Sequence, residues 1–537
     1  MASLALAVLG VPLSIWAVER AYTGLIANNS SPRISSFLLL AGVATVALRT
    51  SLSLINSYRF ECRRRALGCG VVRFYPHKDP ILGLDAFVKV LRAFGGHVLY
   101  DFYLRNFEKY GNTHYLLTLG NKMLMTNDAE NIKIMLGPKM DDWTIGGPRL
   151  NVALPVLGPN SIFCTVGEAW QETRALLRPA FVRDQYANLR CFARHSENFL
   201  SSIPADGTTF DMQSLLLDMT MDSSTDFLLG CSTSLLTKAS PEAQQFARDF
   251  EYGSRESAKI GFLGDILYHL PHPGLKAARH RLREYVRFYL NKAVAEKQNR
   301  EKGGEKEATD DRGYIFLDEM FKANPPEEYI IDQILTILIA GRDTTATAMA
   351  AVFYFLARHP EAVEKLRQEI KSVGVEEPTW EQLKQMKYLN NVIKEALRLC
   401  SPVAANSRSA ARDTILPRGG GKDGSQPILV PKGTSCRWVT HALHRNKEVY
   451  GEDVEEFRPE RWDSIRPGWE YIPFGGGPRI CLGQQFALTQ IAYIVFKFFN
   501  RFRAIEPRDD KPYRQKAGMT ISFPDGCLVS VVRDKRD

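Results

Sequence analysis

The run Phe474-Gly475-Gly476-Gly477-Pro478-Arg479-Ile480-Cys481-Leu482-Gly483 sets one cysteine in a glycine-rich loop, two residues after an arginine. An apolar segment with helical spacing follows at once, from Gln484 to Phe499. This setting suits a thiolate that grips the iron of a flat macrocycle such as haem. Small residues let the backbone approach the ring, and glycine also reaches dihedrals that other residues avoid. Amides opening a helix just after the cysteine favour ionised sulfur. A neighbouring arginine can reach a carboxylate of the macrocycle through charge-assisted bonds. The chemistry-free alternative is a surface turn with a buried thiol, and a lone cysteine does not decide between them.

Other groupings could serve the same site. Trp170 and Arg174 stand four apart in Gly167 to Phe181, so a helix brings both donors to one face, where they can meet one carboxylate. Ala340-Gly341-Arg342-Asp343-Thr344-Thr345 interrupts a long apolar helical pattern from Glu327 to Arg358. A glycine beside Asp-Thr-Thr is a poor helix choice. It does leave room for a ligand against the backbone, where a threonine hydroxyl can rearrange the local bonding. An acid placed there can deliver protons to a dry pocket. Glu395 and Arg398 share a helical face; on a surface such a pair contributes little.

Taken in chain order, Trp-x-x-x-Arg, Ala-Gly-x-Asp-Thr-Thr, Glu-x-x-Arg and Phe-x-x-Gly-x-Arg-x-Cys-x-Gly resemble the cytochrome P450 monooxygenases, over roughly Val71 to Val532. The resemblance implies a mainly α fold with small β-sheets, the cytochrome P450 fold, built around haem b. It implies Cys481 as the axial ligand of the haem iron, with Phe474, Gly477 and Arg479 as further cofactor-binding residues of its loop, Arg479 towards a propionate. Trp170, Arg174 and Arg408 would be propionate contacts. Thr344 and Asp343 would be catalytic, the first bonding to the oxygen under activation and the second relaying protons from solvent. Glu395 and Arg398 would lock onto Arg458 of Phe457-Arg458-Pro459-Glu460-Arg461-Trp462 and support the haem loop without doing chemistry. Val403, Ala404 and Ala405 would line the substrate pocket.

Two electrons would arrive from NADPH–cytochrome P450 reductase, which alone carries the NADPH and flavins, with cytochrome b5 a second candidate donor. Within the family, Ala-Gly-Arg-Asp-Thr-Thr and Pro-Arg-Ile-Cys-Leu-Gly-Gln-Gln-Phe-Ala-Leu look most like the fungal alkane and fatty-acid hydroxylase group. That implies hydroxylation of an apolar, chain-like substrate with O2. Tailoring hydroxylases of fungal terpenoid or polyketide secondary metabolism carry similar signatures and stand as the alternative. A haem-thiolate enzyme that rearranges peroxides needs no proton relay, and a haem sensor needs only its ligand. Asp343 beside Thr344 argues against both.

These groups need a large scaffold. The chain has 537 residues, 45% of them hydrophobic and 24% charged, which suits a globular protein with a sizeable core. The net charge of +9 could favour an acidic partner or an anionic membrane surface. No basic-aromatic motif points to nucleic acid. Nine cysteines, with no Cys-x-x-Cys pair, speak against a disulfide framework or a structural zinc site. They place the catalytic part on the reducing, cytosolic side of any membrane.

Residues 1–70 read as a membrane anchor and 71–537 as the catalytic domain. Ala2 to Val18 and Ser36 to Leu48 are apolar, with Arg59 and Arg63-Arg64-Arg65 following; that basic cluster marks the cytosolic face. One or two transmembrane helices fit. In a two-span hairpin, Asn28 and Asn29 would be lumenal N-x-Ser glycosylation acceptors. A cleaved leader would need a basic start, which is missing. The expected location is the endoplasmic reticulum membrane. Further on, Thr113 to Leu119 and Lys122 to Thr126 look like paired strands. A long basic-aromatic helix is expected over Leu275 to Asn299, followed by a charged loop, Arg300 to Gly313.

Overall fold

The computed structural model describes residues 34–263, 268–303 and 316–534. They divide into two compact units, the smaller joining the chain up to Val72 with Ile415–Val430. Its helix Ile34–Ala66 ends on Arg63, Arg64 and Arg65, and Glu61 accepts from Arg64 Nη2 and Arg65 Nε at 2.7 Å each. Beyond the helix, the Gly70 amide donates to the Pro427 carbonyl at 2.8 Å, on a hairpin of Thr414–Gly420 and Gln426–Val430. A Cβ at Gly70 would lie 2.5 Å from the Gly421 nitrogen, so glycine alone fits.

The second apolar run lies in helix Ile34–Ala66, yet no helix among the described residues is long and apolar enough to cross a membrane. Arg49, Thr50, Ser51, Ser53 and Asn56 break the run after Leu48. Ala2 to Val18, Asn28 and Asn29 lie outside the described residues.

In the larger unit the chain is organised around helix Glu327–Arg358, whose residues are buried on almost every side between Ile330 and Ala357. A helix apolar all round belongs in a core, and the charges in it are paired, as described below. It packs against helices Met212–Leu229, Lys387–Leu399 and Gln484–Arg501, with the Phe353 and Phe498 rings 4.7 Å apart. The helical stretch Asp85 to Tyr110 is two helices, Leu84–Gly95 and Leu99–Tyr110. They part at Gly96 and at His97, whose φ is 59°.

A six-stranded sheet runs in the order Arg73–Phe74, Thr113–Thr118, Asn121–Thr126, Ser435–Trp438, Asn406–Ala410, Trp143–Thr144. It gathers segments far apart in sequence, and its register sets Arg408 opposite Cys436. Near the end of the chain Lys516 and Ser522 form only an isolated bridge, whereas Leu528–Arg533 pairs with Phe502–Pro507. The long basic helix spans Pro273–Gly303 and so takes in the start of the expected charged loop; the rest of that loop lies outside the described residues.

Candidate functional site

Cys481 is positioned by a tight loop. Its amide donates to the Phe474 carbonyl at 3.1 Å and closes the turn. Gly477 has φ 67°, and a Cβ there would lie 1.8 Å from the Leu136 carbonyl oxygen. Helix Gln484–Arg501 begins three residues after the sulfur. The exposed surface of Cys481 opens onto a cavity of about 1220 Å³ that Phe474 also lines. Burial pushes the thiol up, while the Gly483 amide and the Arg174 charge pull it down.

Among the arginines that line this cavity, four lie within electrostatic reach of one another: Arg149, Arg174, Arg408 and Arg479. Arg479 lies 4.2 Å from the Trp170 ring centroid and donates from Nη2 to the Thr165 carbonyl at 3.1 Å. Arg174 lies 5.7 Å from the same ring, as the four-residue spacing predicts. Arg408 Nη1 donates to the Ser407 carbonyl at 2.8 Å. No carboxylate pairs with any of the four among the described residues, and they disfavour one another's charge. Burial, then Arg149 and Arg479, hold Arg408 well below its usual range. Burial, then Arg149 and Arg174, bring Arg479 to about 10. Buried charges without counter-ions are costly, so the cavity suits a guest carrying more than one carboxylate.

Arg149 has no spacing signature in the sequence. It comes from helix Gly147–Leu157, lines the cavity, and donates from Nη1 at 3.2 Å to Asn406, in a strand of the sheet. Of the pocket trio, Val403 and Ala405 line the cavity. Ala404 is buried instead, its carbonyl accepting from the His441 amide at 3.2 Å. Alternate residues of an extended segment face opposite ways.

The central helix brings Gly341 and Thr344 to the same cavity. The Thr344 hydroxyl donates to the Ala340 carbonyl. Asp343 turns elsewhere: its Oδ1 accepts from Arg342 Nη1 at 2.7 Å and its Oδ2 from the Ser254 hydroxyl at 3.4 Å.

Glu395 and Arg398 are both fully buried, joined at 2.8 and 2.9 Å. Arg458 is not the side chain that completes them. It is half exposed and pairs with Asp453 at 3.0 Å; only its amide reaches Glu395, also at 3.0 Å. Arg461, three residues on at the start of a helical turn, supplies the guanidinium, with Nε 2.8 Å from Glu395 Oε1. Trp462 Nε1 donates to Oε2 at 3.0 Å. Arg398 in turn donates to the carbonyls of His444, Val454 and Glu456.

The cytochrome P450 family model matches residues 82–526. The chain belongs to the cytochrome P450 family. Cytochrome P450 monooxygenase himC of Aspergillus japonicus is 39% identical over 499 residues, covering 91% of this chain and 90% of its own. Cytochrome P450 monooxygenase fsdH of Fusarium heterosporum is 38% identical over 521 residues, 94% and 91% of the two chains. Cytochrome P450 52A3-A of Candida maltosa is 34% identical over 530 residues, 93% and 98%. The protein is therefore a P450 monooxygenase that uses haem b and takes electrons from a partner reductase. The cavity fits that cofactor: the arginines without carboxylate partners would hold the two propionates of haem b, and the accessible Cys481 would hold its iron.

Proposed function

We propose that this cytochrome P450 hydroxylates an apolar, chain-like substrate of the fatty-acid or alkane type. The observation that carries this is the cavity wall of Val152, Ala153, Ile162, Phe163, Ile337 and Ala340, all apolar, continuous with the Cys481 site. A wall of this kind binds by burial and orients through few polar groups. When bound, haem supplies oxygen activation and C–H hydroxylation, favoured by thiolate ligation. Cys481 would hold the iron. Arg174, Arg408, Arg479 and Arg149, with the Trp170 indole, would hold the propionates, while Phe474 and Gly477 shape the loop. Thr344 would keep a hydroxyl proton at the cavity edge, and Asp343 with Ser254 would pass protons towards it from behind the helix.

Residues 1–70 remain the proposed membrane anchor and 71–537 the catalytic domain. Membrane attachment at the endoplasmic reticulum is supported by the apolar runs before residue 49 and by exposed Phe74, Ile81, Leu82, Leu84 and Val88. Asn28 and Asn29 are the proposed glycosylation acceptors. NADPH–cytochrome P450 reductase and cytochrome b5 are the proposed electron donors.

A tailoring role on a fungal terpenoid or polyketide is the second candidate, favoured by the small Val403 and Ala405 beside Gly518 in the cavity wall, which leave width for a bulkier body. Microsomes containing the protein and the reductase, given fatty acids, alkanes and terpenoids in parallel, separate the two. Hydroxylated chains are the expected product; turnover of the terpenoids alone would overturn the first proposal in favour of the second.

A further inference from the structure

The segment from Gly158 to Phe163 is clamped to the central helix by three of its side chains. Asp332, 1% exposed, accepts at Oδ2 from the Asn160 amide at 3.1 Å and from Asn160 Nδ2 at 3.0 Å. Gln333 Nε2 donates to the Asn160 carbonyl at 2.5 Å, and the Thr336 hydroxyl meets that of Ser161 at 2.7 Å. The other Asp332 oxygen, Oδ1, accepts from Arg283 Nη1 at 2.6 Å, and Arg283 also pairs with Glu328. One buried carboxylate thus ties the loop, the central helix and helix Pro273–Gly303 together. No slack remains at Gly158, whose φ is 86° and where a Cβ would lie 2.2 Å from Asp332 Oδ1. Ile162 and Phe163, the next residues along the loop, line the cavity beside Ile337 and Ala340.

We propose that Asp332 is a positioning residue for substrate: acting through Asn160, it holds Ile162 and Phe163 as a fixed wall and so sets which apolar bodies the cavity accepts. It touches no reacting atom. Its role depends on both oxygens being acceptors, because donors meet it on either side. An amide cannot satisfy that arrangement in either orientation, since its NH2 must face Arg283 or Asn160. A carboxylate serving only to join two helices would need Arg283 alone. Here adjacent positions 332 and 333, with 336 one turn on, reach the same two loop residues, which fixes the register of loop against helix.

N-alkylimidazoles report on the wall whatever the natural substrate is, because the imidazole end is common and only the alkyl arm varies. Binding of imidazole and N-dodecylimidazole to the haem-loaded protein is followed by the absorbance shift of the haem. In D332N the affinity gained from the dodecyl arm should fall about tenfold, and in N160A, which keeps the backbone bonds of residue 160 and loses only its side-chain bond, about threefold, with imidazole itself held within about twofold. Asn160→Ala leaves the Arg283–Asp332 pair intact, so it decides the matter if Asp332→Asn folds poorly. Combining Asp332→Asn with Arg283→Gln should restore part of the gain, because the glutamine carbonyl accepts from the new amide. If the dodecyl gain is unchanged in N160A, or if both ligands weaken equally, the clamp does not set the wall and the proposal falls.

Discussion

Arg149 and Arg408 share one acceptor, the Asn406 Oδ1, at 3.2 and 3.4 Å. Two guanidinium groups on one amide oxygen, with no acid beside them, form an arrangement that is unfavourable until an anion arrives. The effect of removing either arginine should therefore depend on whether haem is bound. Arg149→Leu should leave haem-free protein unchanged or slightly more stable, because it removes a repelling buried charge. It should destabilise the loaded protein by about 1.5–3 kcal/mol, the usual worth of a hydrogen bond to a charged group. Denaturant melts of both forms check this; equal effects in both would remove Arg149 from the propionate site.

Cys481→Ser should abolish the thiolate-type carbon monoxide difference band of the reduced protein. The helical circular-dichroism signal should persist, because the Cys481 contact that closes the loop is made by its amide and not its sulfur.

The buried acid at Glu395 distinguishes two neighbouring arginines. Arg461→Leu leaves a fully buried carboxylate short of a charged partner and should cost about 3–5 kcal/mol. Arg458→Leu removes an exposed side chain and should stay within about 1 kcal/mol. Urea unfolding of the two variants side by side tests the assignment, and equal losses would contradict it.

Asp218 should make stability depend on pH. Burial, opposed by Arg342 and reinforced by Asp222 and Glu251, raises its carboxyl to about 6. A carboxyl raised on folding binds its proton more tightly in the native state. Stability from this group is therefore present at low pH and is lost as pH rises from the ordinary aspartate value towards 6. Asp218→Asn should be more stable than the parent at pH 7 and gain little at pH 4, as thermal melts at the two values will show.

Thr344→Ala removes the hydroxyl that now bonds to the Ala340 carbonyl at the cavity edge. Reductase-supported NADPH consumption should continue while product per NADPH falls severalfold, and Thr344→Ser should recover most of it. Unchanged coupling in the alanine variant would end the proton role given to Thr344.

What was legible in the sequence lies within short spans. The Cys481 loop, the Trp170–Arg174 pair, the Gly341–Thr344 notch and the Glu395–Arg398 pair are each specified by residues a few positions apart. Turn geometry and the helical repeat fix those relations locally. The long core helix was legible for the same reason, its bounds of Glu327–Arg358 following from an apolar pattern that resumes beyond the Gly341–Thr344 notch. Tertiary packing decided the rest. Arg149 joins the arginine cluster through a partner 257 residues away, and Asp332 clamps a loop 172 residues upstream. Arg461 rather than Arg458 faces Glu395 because of how one turn of chain lies against a helix 66 residues earlier. No local spacing encodes such meetings; they exist only once the core has brought distant segments together and the buried charges have found their acceptors.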